Sequence, residues 1–68
     1  MVVLAKNIPE QGLEAGDLGT VVLVHGEGAG FEVEFTTLTG ETIAVATVTA
    51  DMVRLVHPRE IAHVRPAA

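Results

Sequence analysis

Gly16-Asp17-Leu18-Gly19-Thr20-Val21-Val22-Leu23-Val24 is a tight turn that feeds straight into a β-prone run. Glycine at position 16 reaches positive φ without steric cost, and the Asp17 carboxylate can hydrogen-bond back to nearby backbone N–H groups. Val21, Val22, Leu23 and Val24 then favour an extended chain. The stretch predicts the entry into a central strand of a small all-β domain. It carries architecture and no chemistry.

The rest of the chain is laid out around this strand, which the pattern extends over 18–25. Val2 to Ala5 predicts a short first strand. Lys6 to Gly16, with Pro9, Gly12 and Gly16, is a long loop by composition, and Ile8 and Leu13 within it are expected to fold back over the core. Gly26-Glu27-Gly28-Ala29-Gly30 is a glycine-rich hairpin tip. Phe31-Glu32-Val33-Glu34-Phe35 alternates apolar and acidic residues with period two, so Phe31, Val33 and Phe35 face the core and Glu32 and Glu34 face water. A turn over 37–40 leads into a fourth strand over 41–48, with Ile43 and Val45 expected on the core face. Thr49-Ala50-Asp51 reads as a single 3₁₀-like turn. Met52 to Val56 is a fifth short strand, ended by Pro58, which cannot donate to a ladder.

Five short strands, a long first loop, two hairpins and a turn before the last strand predict an SH3-like barrel over 1–58, followed by a C-terminal tail over 59–68. A different five-stranded barrel with OB-like character ranks lower, because no helix-period segment lies between strands. Residues 51–58 and 60–66 share a pattern of acid, apolar pair, basic or imidazole group and later proline. The tail is therefore compatible with an added edge strand or with one helical turn.

Size and charge limit the function classes. Sixty-eight residues make one domain at most, and a chain this short buries only about 60% of its unfolded surface. Cysteine is absent, which removes disulfides and thiolate metal sites, and only Phe31 and Phe35 are aromatic. The core must be built mainly from Val, Leu, Ile and Ala, which favours extra burial through self-association. Four basic residues stand against nine acidic ones, a net charge of −5. Phosphate backbones are bound through Lys and Arg, so nucleic acid is not the expected partner; the acidic surface keeps a small domain soluble, the reading that ranks first, or suits a basic protein. No signal peptide or membrane-spanning run is visible, and the expected location is the cytoplasm of a bacterium.

No constellation of catalytic groups emerges. His57 and His63 are six residues apart with Pro58 between them, and His25 ends the second strand. This spacing does not supply the three or four ligands of a zinc site. Glu32 and Glu34 lie on one strand face, roughly 7 Å apart by strand geometry, with Glu41 expected across a hairpin. Glycosidase-type acid–base work needs two carboxyls in a cleft with different environments, and the pattern predicts a solvated acidic face instead. The glycine-rich tip precedes a strand, whereas phosphate loops open a helix. There is no Ser and no Cys to act as a nucleophile. The reading assigns no catalytic, cofactor-binding or metal-ligating residue.

One further pattern concerns surfaces. Both alternating sets in strands two and four are apolar, so burying one leaves the other outside. Val22, Val24, Ala44 and Ala46 are the expected outer set, and contiguous exposed apolar patches usually mark interaction surfaces.

The chain resembles a family of small bacterial proteins catalogued as a domain of unknown function. The resemblance is carried by Leu13 with Gly16-Asp17-Leu18-Gly19-Thr20-Val21-Val22, by Phe31-Glu32-Val33-Glu34-Phe35, by Gly40-Glu41-Thr42-Ile43-Ala44-Val45-Ala46-Thr47-Val48 and by Val53-Arg54. It spans Val2 to about Val56. It implies an SH3-like single domain with no enzyme activity, and some members resemble the small partner in two-gene toxin–antitoxin or immunity arrangements. The Gly-Asp-Leu-Gly-Thr-Val turn is also similar to the KOW motif of ribosomal and transcription-factor barrels, which are usually basic. The barrel resembles that of nitrile hydratase β subunits as well, without metal-site residues to carry over.

The expected function is a non-catalytic, self-associating protein-binding module. It would regulate a basic protein encoded by a neighbouring gene through Glu32, Glu34 and Glu41, and would self-associate through Val22, Val24, Ala44 and Ala46. One alternative is a KOW-like nucleic-acid or ribosome-associated module using Arg54, Arg59 and Arg65. Another is an accessory subunit of a hydratase-type metalloenzyme.

Overall fold

The computed structural model describes residues 1–67. Five strands form one antiparallel sheet: β1 (Val2–Leu4), β2 (Leu18–His25), β3 (Gly30–Thr36), β4 (Thr42–Val48) and β5 (Val53–Leu55). Their order is β4-β3-β2-β1-β5. No ladder joins β4 to β5 among the described residues, so the sheet is open and these two strands are its edges. Two 3₁₀ turns, Pro9–Gln11 and Ala50–Met52, complete the regular structure of the described residues, among which no helix is long and apolar enough to cross a membrane.

The turn that opens β2 forms as its residues dictate. Gly16 sits at φ 99°, and the Glu14 N–H donates to Asp17 Oδ2 at 2.9 Å. The turn is tied to β1 from both sides: Gly16 N–H donates to the Leu4 carbonyl at 2.7 Å, and Leu4 N–H to the Asp17 carbonyl at 2.8 Å. Two residues on, Gly19 is buried against the β3 side chains. A Cβ there would lie 2.5 Å from Val33 Cγ1 and 2.9 Å from Phe35 Cε1. The missing side chain is what lets Val33 and Phe35 lie across β2.

The core comprises Val2, Leu4, Ile8, Leu13, Val33, Phe35, Ala46 and Val48. Ile8 and Leu13 do fold back from the long loop. They form an isolated bridge, are 6% and 2% exposed, and lie in the same cluster as the strand residues. Each fully buried side chain of this size contributes about 1.5–3 kcal/mol of hydrophobic free energy.

The face of β4 is the reverse of the one its larger residues suggest. Ala46 and Val48 are buried and Ala44 is half-buried, while Ile43 and Val45 are exposed. Cross-strand pairing supplies the reason. Phe35 stands opposite Ala44 and Val33 opposite Ala46, so the bulky inward residues of β3 need small ones beside them. A register shift between Phe35 and Thr36 leaves Ile43 as the extra residue. Ala46, at 1% exposure, is therefore part of the core and not of an outer association surface.

Beyond β5 the described tail forms neither strand nor helix. It turns at 57–60, where Glu60 N–H donates to the His57 carbonyl at 3.1 Å and His57 N–H to Glu60 Oε1 at 2.7 Å. Arg54 closes this turn with a paired contact to Glu60, Nη1–Oε1 2.7 Å and Nη2–Oε2 2.6 Å. The paired guanidinium and the His57 N–H hold the Glu60 carboxyl down at about 2.

Candidate functional site

Period-two alternation makes β3 the axis of the outer face. Glu32 and Glu34 point away from the core, between β2 and β4. In one row Leu23, Glu32 and Thr47 stand side by side; in the next stand Thr20, Glu34 and Val45. A register shift between Val21 and Leu23 adds Val22 to the β2 side. Val22 and Leu23 are each 53% exposed, Val45 49% and Ile43 37%. The result is a two-carboxylate stripe with exposed apolar side chains on both flanks.

The two carboxylates are held in place. Thr47 Oγ1 donates to Glu32 Oε2 at 2.8 Å, and His25 Nε2 lies 2.6 Å from the same oxygen. The His25 and Thr47 contacts keep the Glu32 carboxyl below its ordinary value. Thr42 Oγ1 donates to Glu34 Oε2 at 2.6 Å. The threonine anchors come from β4 and the histidine from β2; Thr47 alternates with the core residues Ala46 and Val48, and Thr42 lies beyond the register shift at Ile43. Glu41 lies outside the strands in the β3–β4 turn, where its backbone pairs with Thr37: Thr37 N–H donates to the Glu41 carbonyl at 2.8 Å, and Glu41 N–H to Thr37 Oγ1 at 3.0 Å. Its side chain makes no hydrogen bond to Glu32 or Glu34.

Of the expected outer set, Val22 and Val24 are exposed, Ala44 is half-buried opposite Phe35, and Ala46 is buried opposite Val33. Leu23, Ile43 and Val45 take the places of the alanines. His57 and His63 are exposed in the tail. Among the described residues, no group of three His, Asp or Glu side chains converges on a position that would hold a metal ion.

A second feature went unforeseen in the sequence. Arg65 reaches back 48 residues to the turn before β2, with Nε–Oδ1 2.8 Å and Nη2–Oδ2 2.6 Å to Asp17. Nη2 also donates to the Gly12 carbonyl at 3.0 Å, and Glu14 Oε2 lies 3.6 Å from Nη1. The Arg65 contact is the main cause of an Asp17 carboxyl held below its ordinary value. Beside this contact runs a groove of about 410 Å³, floored by Leu13, Leu18, Phe35 and Ile43 and walled by Thr36–Thr39 and the tail. The sequence signal is a run of acceptors in the loop and two arginines in the tail, with nothing to pair them.

The chain is thus a small antiparallel all-β domain whose outer face mixes fixed carboxylates with exposed apolar side chains. The chain belongs to the DUF4926 family, a domain of unknown function, whose model matches residues 1–55. No curated protein and no solved structure matches the chain.

Proposed function

We propose that the domain is a non-catalytic, SH3-like protein-binding module that presents the outer face of β2, β3 and β4 to a basic protein, as a regulatory or antitoxin-like partner does. The observation that carries this is the stripe of Glu32 and Glu34 between the exposed side chains of Val22 and Leu23 on one flank and Ile43 and Val45 on the other. The apolar flanks supply area to bury. The carboxylates supply sign selectivity and faster encounter with a positive surface. Their threonine and histidine contacts fix them beforehand, so less side-chain entropy is lost on binding.

The same face argues for a different protein over a second copy of this chain. Two copies meeting face to face about a twofold axis present the same patch to each other, which brings the carboxylate stripes together. Nucleic acid is disfavoured for a related reason. Arg54 and Arg65, two of the three arginines, already hold carboxylates within the chain. The reading is tested by titrating the purified product of the adjacent gene into the isotope-labelled domain. Amide shifts concentrated at Leu23, Glu32, Glu34 and Val45 are expected; shifts elsewhere, or none, overturn it.

A further inference from the structure

Arg65 is held as a ligand is held. One planar guanidinium receives a paired contact from Asp17, a backbone acceptor from Gly12 and the nearby charge of Glu14. Paired guanidinium–carboxylate geometry is both stronger and more specific than a point-charge contact. Asp17 is only 17% exposed, so this pair is better shielded from water than the other ion pairs of the chain.

The segment that delivers Arg65 has little else to hold it. Among the described residues, no backbone–backbone hydrogen bond fixes 61–67 to the rest of the chain. Ile61 and Val64 remain 87% and 80% exposed, so the tail adds no large apolar side chain to the core. The acceptors and the groove floor, Gly12, Glu14, Asp17, Leu18 and Phe35, lie inside the segment shared with the family, and Arg65 lies beyond it. The groove of about 410 Å³ is the space left between this tail, the Asp17 turn and residues 36–39.

We infer that the groove between the Asp17 turn and the Thr36–Thr39 turn is a binding site for an arginine-bearing extended segment of a partner protein, and that residues 62–67, which line one side of it and seat Arg65 on Asp17, act as an internal, competing ligand. Asp17 and the Gly12 carbonyl receive the guanidinium, and the half-buried Leu18 receives a flanking apolar residue. Displacement of the tail exchanges one arginine for another, so charge inside the site is conserved. Glu32 and Glu34 make none of these contacts, although Ile43 borders both surfaces, so shifts at Glu32 and at Asp17 tell results at that face from results at this groove.

The test uses the full chain carrying Arg65→Ala and, as probe, a capped peptide of sequence Ile-Ala-His-Val-Arg-Pro-Ala, followed by amide shifts. The peptide is expected to move Asp17, Leu18 and Phe35. Affinity for the wild-type chain is expected to be about tenfold lower, because a tail that covers the groove most of the time taxes any competitor by the open fraction. The same peptide with alanine at the arginine position, and a chain that also carries Asp17→Asn, should show no binding. Asparagine keeps the carbonyl that accepts from Glu14 N–H, so the turn is retained. If Arg65→Ala does not fold, Arg65→Lys is read instead, since it keeps the charge and loses the paired geometry. Absence of peptide binding to a folded variant overturns the proposal, as does equal binding to variant and wild type. Dimerisation of the wild-type chain that Arg65→Ala abolishes overturns the partner assignment in favour of tail exchange between copies.

Discussion

Gly19 shows how much of this fold turns on single positions. Its absent Cβ is the space taken by Val33 Cγ1 and Phe35 Cε1. Gly19→Ala forces those side chains off their positions, and overpacking of this kind costs about 1–3 kcal/mol; the shift in urea midpoint measures it. The Gly16–Asp17 turn was readable from residue type, because φ and a local acceptor are properties of the residues themselves. The partner of Asp17 was not, since a contact across 48 residues leaves no local pattern. Glu60 and Asp17 both titrate below their ordinary values in the folded chain. Their contributions to stability are therefore full above the unfolded value and are lost as pH falls through the folded one. For Glu60 that window runs from about 4.3, the ordinary glutamate value, down to about 2. Carbon-detected titration should find the Glu60 carboxyl still ionised at pH 3; a midpoint near 4 contradicts the Arg54 pairing.

At the scale of elements, strand positions were legible and one strand face was not. β2 has the expected bounds, and β3 keeps its alternation with one residue added at each end, because charged and apolar residues alternate there without ambiguity. In β4 both faces are apolar, so periodicity alone could not choose, and the larger residues suggested the wrong side. The deciding information sits on β3, whose Val33 and Phe35 demand alanines opposite them. The structure makes a sharp prediction from this. Ala46→Leu should destabilise by about 1–3 kcal/mol through overpacking, whereas Val45→Thr should stay within about 0.5 kcal/mol as a surface change. Thermal melts of the pair would reverse this order if Val45 faced the core.

For the whole molecule, the acidic face and the apolar face expected from the sequence are one face. The alternation placed Glu32 and Glu34 outward correctly, but the apolar flanks were assigned partly to Ala44 and Ala46 in place of Leu23, Ile43 and Val45. Val22 and Leu23 reach this face through the register shift at Val22, Ile43 lies at the second shift, and Val45 stands opposite Glu34, a pairing that no composition argument reveals. It also sets an expectation for self-association. Neutralising the stripe with Glu32→Gln and Glu34→Gln should raise the dimer fraction in sedimentation equilibrium at neutral pH. A dimer fraction equal to that of the wild-type chain would show that the stripe does not oppose self-contact.

We propose that the stripe of Glu32 and Glu34 receives a basic protein, which isothermal titration of the adjacent gene's product into the wild-type chain and into the Glu32→Lys, Glu34→Lys variant puts to the test. Binding should weaken with salt and fall at least about tenfold on charge reversal, a loss of about 1.4 kcal/mol or more. Equal affinity for both chains, or no binding by the wild-type chain, would contradict it.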